Sequence, residues 1–179
     1  MNFWLALARR IDALNEVVGQ ALKWLVLIAT LVSAGNAALR YGFDLSSNAW
    51  LELQWYLFAL IFLLGAGYTL KHNGHVRIDV LYGRFSPKAR VWVDLLGGLL
   101  FLLPMAALIG WLGWAAFVNS LAIGETSPDA GGLLRWPIKL AIPAGFGLLF
   151  LQGLSEVIKR AAFLAGRLEL AEERSEEVA

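Results

Sequence analysis

The chain has 179 residues, 59% of them hydrophobic and only 16% charged, with a mean hydropathy of +0.63 and a formal net charge of +1. A soluble domain carries about a quarter charged residues, so an ordinary soluble domain is excluded. The positive charges sit at the ends of apolar runs, so the net charge is no sign of a nucleic-acid surface, and no nucleic-acid partner is expected. The absence of cysteine excludes disulfides, a thiol nucleophile, iron–sulfur clusters and thiolate zinc sites.

The first seventeen residues are too polar to span a membrane. Trp4, Leu7, Ile11, Leu14 and Val18 recur at helical spacing against Arg9, Arg10, Asp12, Asn15 and Glu16. That pattern predicts an amphipathic helix lying in the interface, or a helical extension of the first span that leaves the bilayer. The first apolar run begins behind this charged segment, so a signal peptide is not expected; cleavage near Ser33-Ala34-Gly35-Asn36-Ala37 is the minor alternative.

The first span is expected over residues 22–39. Its uncharged part, Trp24 to Leu39, gives about 24 Å of helix, short of a hydrocarbon core of about 30 Å. Lys23 and Arg40 extend it by snorkelling, and Ser33, Ala34, Gly35, Ala37 and Ala38 suit close helix contact. A polar connection through Asp44 and Asn48 follows. The second span is expected over 52–70, with Glu52 at the favourable helix N-terminus, Trp55 and Tyr56 in the interfacial belt, and Asn73-Gly74 as the stop, Gly supplying the left-handed residue.

Residues 71–94 form a basic hinge with five of the fifteen Lys and Arg and both histidines. Ile78, Leu81, Tyr82 and Phe85 predict a short surface helix within it. Ser86-Pro87 is a helix start, Ser as N-cap and Pro at the first position. The third span is expected over 88–118. Leu95 to Gly124 carries no charge, about 45 Å of helix, so this element tilts, kinks at Pro104 or projects beyond the lipid. A loop from Glu125 to Gly132 leads to Trp136-Pro137 and a fourth span over 137–159.

The fold class is therefore an all-α integral membrane protein with four transmembrane helices plus short interfacial amphipathic helices. Residues 1–165 form one membrane domain and 166–179 a charged cytoplasmic tail. Lys and Arg divide among the five non-membrane segments as three, one, five, two and four. The positive-inside rule then puts both termini and the hinge in the cytoplasm.

Candidate chemistry is thin. His72, His75 and Asp79 have a metal-ligand spacing, but the loop is basic and no further His or Cys completes a shell; no metal or cofactor is expected. Glu52, Asp94, Lys139 and Glu156 are the charges nearest the membrane. All lie near span ends, so anchoring or subunit contact outranks ion coupling. Gln152 and Asn119 read as helix glue. No nucleotide loop, triad or pair of catalytic carboxylates occurs, so enzyme activity is not expected.

Glu52 opening the second span, Gly65-Ala66-Gly67-Tyr68, and above all Gly74-His75-Val76-Arg77-Ile78-Asp79-Val80-Leu81 resemble the small membrane subunit (DctQ-like) of tripartite ATP-independent periplasmic (TRAP) transporters, over about residues 17–160. The resemblance implies a non-catalytic scaffold subunit in the bacterial inner membrane. Its partners would be a large multi-span TRAP membrane subunit, a periplasmic solute-binding protein and membrane lipids. The complex would take up an organic acid or similar solute on an ion gradient. The resemblance implies that His75, Arg77 and Asp79 shape the hinge, that Glu52 faces the large subunit or the periplasmic rim, and that the loop from Glu125 to Trp136 touches the binding protein. The alternatives are a self-sufficient small transporter or channel acting as a homo-oligomer, and a cofactor-binding subunit of a redox enzyme.

Overall fold

The computed structural model describes residues 2–45, 47–75 and 82–167. Its elements are α1 (Asn2–Phe43), α2 (Asn48–Lys71), α3 (Pro87–Gly97), a π-helical turn (Gly98–Leu102), α4 (Leu103–Ala122) and α5 (Trp136–Leu164). Among the described residues, four helical stretches are long and apolar enough to cross a membrane: Phe3–Phe43, Asn48–Lys71, Pro87–Ala122 and Trp136–Leu164. One end of the bundle carries the α1–α2 turn and the loop between α4 and α5. The other, the hinge end, carries the start of α1, the end of α2, the start of α3 and the end of α5.

Of the two readings of the N-terminal segment, the structure follows the helical extension. α1 is one unbroken helix of 42 residues, about 63 Å long. Its first half is not free at a surface: Ala8, Ile11 and Asn15 are buried, and Asn15 and Ala8 hydrogen-bond to α5. The short helix expected around Ile78 to Phe85 falls mostly outside the described residues.

Both helix stops near the ends of α1 and α2 use a left-handed residue followed by a bond back to the last turn. Asp44 has φ 54° and Asn73 φ 50°. After α2 the Gly74 N–H donates to the Thr69 carbonyl at 2.9 Å and the Asn73 N–H to the Leu70 carbonyl at 3.1 Å, the Schellman pattern. After α1 the Leu45 N–H reaches one residue further back, to the Leu39 carbonyl at 3.1 Å. The left-handed residue is thus Asn73, not Gly74 as the sequence suggested. Asn tolerates that region through its short polar side chain. Ser86 caps α3 as expected, its Oγ accepting from the Ala89 N–H at 3.4 Å with Pro87 in the first turn.

The long third crossing is resolved by a π turn. Five residues before Pro104 loosen to π geometry, and the Leu103 N–H donates to the Gly98 carbonyl. Proline lacks an N–H and crowds the preceding turn; one wider turn accommodates both without ending the helix. That turn packs on α5, where a Cβ at Gly153 would lie 3.0 Å from Leu102.

α5 is the central helix, packed against α1, α2 and the α3–α4 crossing. Glycines set its spacing. A Cβ at Gly145 would lie 2.5 Å from the Leu63 carbonyl oxygen of α2, and one at Gly113 of α4 would lie 2.6 Å from Ile142. Such close approach suits a bilayer, where van der Waals contact rather than water exclusion joins helices. The exterior is broadly apolar: Trp55, Phe62, Phe101 and Trp111 are each at least 70% exposed, which in water would be an aggregation surface and in lipid is ordinary.

Candidate functional site

Two polar clusters organise the bundle, one at each end. At the loop end the cluster is built around Glu52. This residue lies beyond the first turn of α2, which begins at Asn48 and has no acidic residue in its first turn. Its carboxylate therefore does not cap that helix. It points sideways, is 5% exposed, and accepts hydrogen bonds from the Ser127 hydroxyl and, at 2.6 Å, from the Leu133 N–H. The Arg135 guanidinium stands 3.7 Å away.

Around that carboxylate the connection between α4 and α5 is tightly fixed. Thr126 and Leu134 form an antiparallel bridge, and the Arg135 N–H donates to the Glu125 carbonyl at 2.8 Å. From α2, Asn48 Nδ2 donates to the Ala130 carbonyl at 3.0 Å and the Tyr56 hydroxyl to the Leu134 carbonyl at 2.8 Å. Ser127 Oγ also accepts from Arg135 and from the Asp129 N–H, both at 3.2 Å. The expected loop is thus a small structured knuckle bolted to α2.

Lys139 donates to Glu125. That hydrogen bond holds the Glu125 carboxyl below its ordinary value of 4.5. A depressed carboxyl stabilises the fold above its unfolded value and stops doing so as pH falls through the folded one. Acidification below about pH 4.5 is therefore expected to loosen this knuckle. Amide hydrogen exchange of residues 125–135 as a function of pH checks it: Glu125→Gln should flatten the profile, and an identical profile in that variant would contradict the assignment.

A related expectation concerns Glu52. Glu52→Gln keeps one acceptor oxygen but loses its charge beside Arg135. Glu52→Leu strands the Leu133 N–H and Arg135. Exchange protection of Leu133 should fall by about tenfold in the leucine variant, the scale of one lost bond to a charged acceptor, and less in the glutamine variant. Equal protection in both would show that the carboxylate does not hold the knuckle.

At the hinge end a second network joins α1 to α5. Gln152 is fully buried. Its Oε1 accepts from Asn15 Nδ2 at 3.0 Å, and its Nε2 donates to Asp12 at 2.8 Å and Glu156 at 3.1 Å. Ser155 donates to Asp12 at 2.7 Å, and Lys159 reaches Asp12 at 3.2 Å and Glu156 at 2.5 Å. Beside it, Glu16 pairs with Lys71 at 2.7 Å and lies 3.4 Å from His72. Asp94 accepts from the Tyr82 hydroxyl at 2.9 Å and pairs with Arg160 at 3.2 Å.

The four charges singled out from sequence thus all have partners within the chain: Glu52 with Arg135, Asp94 with Arg160, Lys139 with Glu125, Glu156 with Lys159. Gln152 is helix glue, as expected. Of the hinge candidates, His75 is exposed, while Arg77 and Asp79 lie outside the described residues. Among the described residues no group of three or more His, Cys, Asp or Glu is placed to hold a metal ion. Sequence reasoning missed Asp12 and Asn15. The available signal was the polar set Gln152, Ser155, Glu156 and Lys159 at helical spacing, which needs a matching set on a neighbour.

Among the described residues of the two clusters, Asn15 Oδ1 alone is buried without a partner. The fold and its two internally paired polar clusters define a four-span helical membrane protein whose polar side chains hold the bundle together. Residues 29–163 match the family described as tripartite ATP-independent periplasmic transporters, DctQ component, and the chain belongs to that family. It is 30% identical over 141 residues to the C4-dicarboxylate TRAP transporter small permease protein DctQ of Pseudomonas aeruginosa, covering 73% of this chain and 61% of that one. The chain thus spans less than two thirds of that relative's length. No solved structure matches it.

Proposed function

We propose that the chain is the small membrane subunit of a TRAP-type secondary transporter. It lies in a bacterial inner membrane with both termini cytoplasmic. It works as a fixed wall beside a large multi-span subunit that moves an organic acid on an ion gradient, the solute being delivered by a periplasmic binding protein. Family membership supports the tripartite setting, and the relative's name brings dicarboxylates to this chain as the solute class.

The observation that carries the wall role is the pairing of the membrane-proximal charges with one another inside the bundle. A coupling site needs a carboxylate that exchanges protein partners for an ion near the midplane. A wall needs helices that do not slide, and cross-linked helix ends with interfacial aromatic side chains oppose vertical displacement.

The test is reconstitution. The chain should co-purify in mild detergent with its large membrane subunit, and vesicles should accumulate solute only when that subunit and the binding protein are both supplied. Accumulation by vesicles holding this chain alone would replace the wall with a self-sufficient transporter. Glu52→Gln should leave the ion-to-solute ratio unchanged; a changed ratio would make Glu52 a coupling residue.

A further inference from the structure

α2 ends at a histidine whose two ring nitrogens both face oxygen. His72 Nδ1 lies 3.0 Å from the Tyr68 carbonyl, and Nε2 lies 3.4 Å from a carboxylate oxygen of Glu16 on α1. A carbonyl and an ionised carboxylate only accept hydrogen bonds. A neutral imidazole has one N–H and one lone pair, so either tautomer turns its lone pair toward one of these oxygens. The imidazolium, with an N–H on each nitrogen, satisfies both.

Two further features favour the cation. The ring stacks on Tyr68, with centroids 4.2 Å apart and planes tilted by 39°, so the face of the phenol meets the charge. His72 also follows the last turn of α2, where the helix dipole favours a positive group. One group opposes it: the Lys71 ammonium lies 2.7 Å from the same Glu16 oxygen. The ring is therefore faced from α1 by Glu16, which also accepts from Gln20 at 3.0 Å, and from α2 by Tyr68 and Lys71. The His72 side chain is 46% exposed, open to protons from water.

The histidine acts on a helix seam. Tyr68 rests on Gly19 of α1, where no Cβ would fit beside the tyrosine ring, so the ring on which His72 stacks is wedged against the neighbouring helix. Directly after His72, the Asn73 and Gly74 N–H groups close α2 on the Leu70 and Thr69 carbonyls, and the basic hinge begins.

We propose that His72 is a proton-operated latch between α1 and the start of the hinge. Protonated, it ties the Tyr68 carbonyl of α2 to Glu16 of α1; neutral, it gives up one of those bonds and the end of α2 loosens. A folded seam that holds the imidazolium better than the imidazole gains stability at low pH and loses it as pH rises through the histidine range, about 6.5. The latch needs no partner subunit, and adds to the proposed wall a hinge that tightens on acidification.

Amide exchange at Asn73 and Gly74 of the full chain, corrected for the intrinsic effect of pH, reads the latch. Protection should be about threefold higher at about pH 5.5 than at about pH 7.5, the scale of one half-exposed ion pair. His72→Gln should abolish the difference, and His75→Gln, at the exposed histidine nearby, should keep it. His72→Arg, permanently charged, should hold the protected value at both pH values. A difference that survives in His72→Gln, or that His75→Gln removes, overturns the proposal. So does an equal change at Leu133 in the parent, which would mean that the whole bundle responds. If His72→Gln does not fold, His72→Arg decides, and a pH difference remaining there overturns the latch.

Discussion

Replacing Gly145 by leucine is expected to be the most damaging single change in the bundle. A Cβ at this position would already stand 2.5 Å from the Leu63 carbonyl oxygen and 2.7 Å from its carbon. Those are backbone atoms of α2, so no rotamer change relieves the clash; the two helices must separate. Separation also lifts Gly67 of α2 from the Leu148 carbonyl, 3.1 Å from where its own Cβ would be, and α5 loses contact along its length. Association of helices in lipid depends on such contact. The expected loss is about 3 kcal/mol for leucine, the upper part of the usual overpacking range, and about 1–2 kcal/mol for alanine. Gly147, one turn-face away, has nothing within 4 Å of a Cβ, and Gly147→Leu should be harmless. Thermal melting of the detergent-solubilised chain separates them. Equal melting of Gly145→Leu and Gly147→Leu would show that the α2–α5 distance is not what the glycine sets.

The contrast between those two glycines marks what the sequence discloses and what it withholds. The four crossings were legible because each is a long run without charge, and the start of α3 was legible because Ser86 and Pro87 act on the turn they open. The left-handed residue at the end of α2 was assigned to Gly74 on the general preference for glycine, whereas the chain puts Asn73 there. The two polar clusters were less legible. Glu52 meets Ser127 and Leu133 across 75 and 81 positions, and nothing local to Glu52 names those partners. Its place one turn into α2 made it resemble a helix-start carboxylate. Asp12 and Asn15 sat on what read as the solvated face of an amphipathic helix. A polar face on one helix and a polar stripe on another become a buried network only when tertiary packing brings them together, and periodicity describes each helix alone.

Gln152→Leu tests whether that network has structural weight. Leucine conserves bulk but strands Asn15 Nδ2, whose remaining acceptor is the Ile11 carbonyl at a long 3.4 Å, and it removes one donor from Asp12. Leaving buried polar groups short of partners should lower stability by about 2 kcal/mol. Asn15→Leu should cost less, because Gln152 keeps Asp12 and Glu156. In the double variant both ends of one bond are gone, so the combined loss should fall short of the sum by about 1 kcal/mol. Strictly additive losses would mean that the Asn15–Gln152 contact does not act as a unit. The lesion should also be local. The first 28 residues lie outside the matched family region, and Asp12 and Asn15, with the Ala8 carbonyl, tie them to α5. Their release should let a protease reach Arg9 and Arg10 at the start of α1, while the knuckle around Glu52, at the far end of the bundle, keeps its hydrogen-exchange protection. Simultaneous loss of protection at both ends would instead mean that the bundle opens as one cooperative unit, with Gln152 acting on global stability rather than on the seating of α1.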